Sequence, residues 1–105
     1  MKNDWIPFEE GQTIGQRGSE GGIIILDDEI RYEARITLEE RGDIAPYSIT
    51  IGIYHLLMHT HFCATVEVAR KDYQMFKTKI EEILELDGED TEKCNQKIDE
   101  LINII

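Results

Sequence analysis

The sequence predicts an α+β fold: an antiparallel β-meander of three to four strands, one of them long and bulged, followed by two C-terminal helices packed on one face. Three observations carry this. Apolar and polar residues alternate through residues 30–39 and again from Tyr47, the period of half-buried strands. After Thr65 the apolar spacing changes to threes and fours, the period of a helix. The chain has 105 residues, 41% hydrophobic and 31% charged, which suits a single domain, 1–105, able to bury about two thirds of its surface around one core.

Residues 1–22 are Gly-rich and aperiodic, and read as loop with one short strand around Gln12–Gln16. The sheet is expected over 23–65. Gly22-Ile23-Ile24-Ile25-Leu26 is a β-branched run, and Asp27-Asp28-Glu29 closes it as a turn. From Ile30 the alternation is clean. Ile30, Tyr32, Ala34, Ile36 and Leu38 share one face, with Arg31, Glu33, Arg35, Thr37 and Glu39 on the other. Arg41-Gly42-Asp43 starts a turn, and Pro46 marks the beginning of a strand.

Ile49, Ile51 and Ile53 then occupy odd positions, whereas Leu56, Met58, Phe62 and Ala64 occupy even ones. A change of phase implies an inserted residue or a break, and Gly52 with Tyr54-His55 is the expected place. A straight strand over 48–64 would span about 56 Å at ~3.3 Å per residue, so this ribbon must bend or protrude. A short helix over Ile53–Thr60 is the alternative. The helical part, 66–105, begins after Thr65 as N-cap. Val66, Ala69, Tyr73, Phe76, Ile80, Ile83 and Leu84 form the first stripe, and Gly88 sits at a C-cap position. A second helix follows from about Asp90, with Cys94, Ile98, Leu101, Ile102 and Ile105 on one side.

The formal net charge is −11, which repels phosphate backbones and anionic lipid and points away from nucleic-acid or membrane-surface partners. Residues 44–66 contain no Asp, Glu, Lys or Arg, but three histidines, Pro46 and Gly52 interrupt them, so a membrane span is rejected. The first residues show no apolar signal segment. The two cysteines, Cys63 and Cys94, make no C-x-x-C pair or disulfide scaffold, and a reducing, cytoplasmic setting is expected.

Every histidine of the chain lies in His55-Leu56-Leu57-Met58-His59-Thr60-His61-Phe62-Cys63. On a strand, His59, His61 and Cys63 point to one side. Imidazole and thiolate suit zinc or a similar transition metal, so His59, His61 and Cys63, with His55, are the candidate metal ligands. The bland alternative is a polar or interface face, since this segment holds no carboxylate of its own. Three close imidazoles in an uncharged stretch would also resist joint protonation. Cys63 lacks a base at assured hydrogen-bond reach and reads as an inert, partly buried thiol. The glycines at 11–22 lack a Gly-Lys-Ser/Thr ending and run into a strand, which excludes a phosphate loop. Seven acids without a base over Glu81–Glu92 read as a solvated helix end, or as a patch for a basic partner.

Three functional expectations follow. The leading one is a non-catalytic interaction module that self-associates through its sheet, with a homodimer favoured. The second is an acidic inhibitor or immunity-type protein that captures a basic protein. The third is a small metal-binding protein or enzyme using a His-x-His-x-Cys strand. The leading reading involves neither catalysis nor a cofactor.

Overall fold

A computed structural model of the chain describes residues 5–86 and 91–103. Among them the order is β1 (Ile6–Pro7), a 3-10 turn (Phe8–Gly11), β2 (Ile23–Ile30), β3 (Ala34–Glu40), β4 (Tyr47–Ile53), β5 (Leu57–Cys63), α1 (Val66–Leu86) and α2 (Thr91–Ile102). The strands form one antiparallel sheet in chain order. Helix α1 packs on one face and α2 packs against α1, and both feed a single core. The α+β meander followed by two helices is therefore the architecture, with five strands among the described residues in place of three to four.

Two of the differences in strand boundaries share one cause. β2 does not end at Asp27-Asp28-Glu29 but runs through it to Ile30, and the chain reverses over Arg31-Tyr32-Glu33. There the Glu33 N–H donates to the Ile30 carbonyl at 2.9 Å, and Tyr32 takes φ 69°. Ile30 pairs with Ala34, so these two share the inner face across the three-residue reversal, whereas Tyr32, expected on that face with them, stands 85% exposed at the turn. Likewise, the expected long ribbon is a hairpin. β4 and β5 are joined over Tyr54-His55-Leu56, where the Leu56 N–H donates to the Ile53 carbonyl at 2.9 Å and His55 takes φ 72°. Neither the bulge expected near Gly52 nor a helix over 53–60 forms.

The apolar phase change thus marks a change of exposure. Leu57, His59, His61 and Cys63 pair with Ile53, Ile51, Ile49 and Tyr47 and share their helix-covered face. Met58 and Phe62 point the other way. The ladder irregularity that does exist lies in β2, between Ile24 and Leu26.

The strand expected at Gln12–Gln16 is not formed; this stretch is a run of turns laid along β2. The Gly15 N–H donates to the Ile24 carbonyl at 2.8 Å, the Ile24 N–H returns a bond to Gln16 at 2.9 Å, and Arg17 makes an isolated bridge with Ile23. Two-residue β1 pairs with the other end of β2. The N-terminal segment therefore covers the outer edge of the sheet.

The core places Ala34, Ile36, Leu38, Ile49, Ile51 and Ile53 of the sheet against Ala69, Tyr73, Phe76, Ile80 and Ile83 of α1, with Cys94 and Leu101 of α2 behind. Thr65 caps α1, its Oγ1 accepting from the Val68 N–H at 3.3 Å. Gly88, Asp90 and Ile105, assigned to a cap, a helix start and a stripe, lie outside the described residues. The radius of gyration is 13.4 Å, against about 13 Å for a folded chain of this length. Among the described residues no helix is long and apolar enough to cross a membrane.

Candidate functional site

The β4–β5 register dictates what lies under α1. Because β5 continues the inward phase of Ile49, Ile51 and Ile53, His61 and Cys63 face the helix. Asp72 comes down from α1 to meet them. The His61 Nε2 lies 3.0 Å from the Asp72 Oδ2, and the Cys63 thiol donates to the same oxygen at 3.8 Å. The three donor atoms all fall within 4.8 Å of one another. The His61 side chain is 10% exposed and that of Asp72 18%, and the His61 and Phe76 rings meet edge-to-face with centroids 5.1 Å apart.

Of the four sequence candidates, His61 and Cys63 converge. His59 lies two positions back along the same strand face, and His55 sits exposed in the hairpin turn. The converging carboxylate, Asp72, was not among the candidates. Its signal was present: Asp72 falls at helical spacing inside the stripe Ala69, Tyr73, Phe76, and an acid on a core stripe needs a polar partner.

The local electrostatics suppress thiolate chemistry. Burial first, and then the neighbouring Asp72 carboxylate, push the Cys63 thiol up to about 11. At neutral pH it is a protonated thiol beside an acceptor, the opposite of an activated nucleophile. Burial, with His61 adding a smaller effect, holds His59 below its ordinary value, which favours a neutral imidazole.

The opposite face of the sheet is divided. Over β2 and β3 it is roofed by residues 8–22. Asp27, with no exposed side-chain surface, accepts from Thr13 at 2.7 Å, from Arg35 at 3.0 and 2.7 Å and from Thr37 at 3.0 Å. The Arg35 guanidinium is capped in turn by the Phe8 ring at 3.6 Å. Glu39 is buried, and its carboxylate accepts the Gly22 N–H at 3.0 Å and the Glu20 N–H at 3.2 Å. A Cβ on Gly18 would run into that carboxylate, which explains a glycine there. A cleft of about 480 Å³ remains between roof and sheet, floored by Arg35, Thr37, Glu39, Thr50 and Gly52. Its two charged floor residues are already committed to the contacts just described.

Over β4 and β5 the same face is open. Met58 is 75% and Phe62 41% exposed, and Tyr54 and Leu56 add exposed apolar surface at the hairpin end. β5 is also an edge of the sheet. The two edges differ. On the β1 side the edge is a two-residue strand containing Pro7, which cannot donate to a further strand. On the β5 side it is seven residues, Leu57–Cys63, without a charge, a proline or a bulge. These are the devices by which sheets discourage edge-to-edge pairing.

Comparison with family models, with curated proteins and with solved structures finds no match to this chain.

Proposed function

We propose that this chain is a non-catalytic interaction module that self-associates through its sheet, pairing the free edge of β5 with the same strand of a second copy. The observation that carries the reading is that unguarded seven-residue edge, flanked by exposed Met58 and Phe62. A second copy is the occupant that fits by symmetry. In a two-fold antiparallel pairing centred on Thr60, Met58 of each copy falls opposite Phe62 of the other. That gives two sulfur–aromatic contacts on the open face and an isologous, closed interface. The lack of charge over 44–66 supports the same reading, since like charges brought together across the axis would oppose it. The protonated Cys63 thiol supports a role that does not depend on nucleophilic chemistry. Two cysteines held in the core, in β5 and α2, fit a reducing compartment such as the cytoplasm.

Sedimentation velocity tests this directly. The wild-type chain is expected to sediment as a dimer at micromolar concentration. Met58→Lys with Phe62→Lys, both at exposed positions, is expected to give a folded monomer. A wild-type chain that stays monomeric across the accessible concentration range overturns the proposal, as does a double variant that dimerises unchanged.

A further inference from the structure

We propose that His61, Cys63 and Asp72 form a binding site for one divalent transition-metal ion of the zinc type, bridging β5 to α1. The three side chains offer an imidazole nitrogen, a sulfur and a carboxylate oxygen, the donor set that zinc and its neighbours take. Their separations come close to what one ion requires. Tetrahedral zinc bonds of about 2.0–2.3 Å place neighbouring donors about 3.4–3.6 Å apart. Here His61 and Asp72 stand 3.0 Å apart, Cys63 and Asp72 3.8 Å, and no pair of the three donor atoms exceeds 4.8 Å.

The pieces are also held for the purpose. His61 and Cys63 alternate on one strand face, so the pleat aims both at α1. Asp72 rides on α1 beside the core residues Ala69, Tyr73 and Phe76, and the Phe76 ring packs edge-to-face with that of His61. Three protein ligands leave a fourth position for water or another donor. A divalent cation reverses the local electrostatics: Cys63 loses its proton to solvent and binds as thiolate, and Asp72 becomes a ligand beside it. The proposal differs from the strand-only set read from sequence by gaining Asp72 and leaving out His55 and His59. It does not depend on self-association.

Titration of the full-length, tag-free chain with Co²⁺ tests it. One equivalent is expected to bind with a near-ultraviolet thiolate-to-cobalt charge-transfer band, and Zn²⁺ is expected to displace it. Cys63→Ser is expected to delete that band, and Asp72→Asn to weaken Co²⁺ binding at least tenfold, while His55→Gln binds as wild type. Absence of the thiolate band in the wild-type chain overturns the site irrespective of how any variant folds. Equal loss of binding in His55→Gln, or unchanged affinity in Asp72→Asn, overturns the ligand assignment.

Discussion

Tyr32 and His55 each hold a left-handed backbone, φ 69° and 72°, inside three-residue reversals that a glycine or asparagine would ordinarily mark. Neither turn contains Gly, Pro, Asn or Asp. Turn chemistry is therefore silent at both reversals: the first reads four residues early, at the acids of 27–29, and the second shows only as the change of apolar phase near Tyr54-His55, which marks a break without saying that the chain folds back there. Tyr73 shows the reverse case, a residue whose role follows from its spacing. It lies on the helical stripe, is 1% exposed, and its hydroxyl donates to Asp28 at 2.7 Å. Burial chiefly, and Asp28 second, push the phenol far above its ordinary value of 10. A group held neutral in the native state stabilises it fully below that ordinary value. The contribution is lost as pH rises above it, because the unfolded chain then ionises first. Ultraviolet titration is thus expected to show a last tyrosinate step that coincides with alkaline unfolding, and Tyr73→Phe to remove it. A Tyr73 that ionises while the chain stays folded contradicts this.

At the scale of elements, both helices were legible because a 3.6-residue stripe is long and redundant. α1 covers Val66–Leu86, as the spacing after Thr65 implied. The end of β2 is hidden in the sequence because acids rarely sit inside strands. The compensation comes from residues distant in sequence: Thr13, Arg35 and Thr37 around Asp27, and Tyr73 and Lys77 on Asp28, the latter at 3.0 Å. No local window contains those partners. Among these, the Thr13–Asp27 bond ties the N-terminal roof to the sheet, and Asp27→Asn is expected to cost about 2–3 kcal/mol, the loss of charge-assisted bonds at a buried site. Denaturant unfolding measures it, and a change under about 0.5 kcal/mol, the range of an ordinary surface substitution, counts against the network. The His61–Cys63–Asp72 cluster has the same character. Two of its members were legible from strand alternation, and the third needed the packing of α1 on β5.

For the whole molecule, the charge is uneven. Residues 1–29 carry −5, residues 30–79 carry +1 and residues 80–105 carry −7. The neutral middle holds β4 and β5, and the sheet's one long unguarded edge lies there. The acidic N-terminal segment, by contrast, closes off the β2 side. Under the proposed self-association, this asymmetry favours β5 as the strand that a second chain extends. Hydrogen exchange across Leu57–Cys63, followed in the full chain at rising protein concentration, tests that claim most directly. Self-association through β5 is expected to slow exchange in this segment as concentration rises, while amides in β2 and β3 exchange at unchanged rates. Exchange in β5 that is independent of concentration, in a chain that sediments as a monomer throughout, contradicts it.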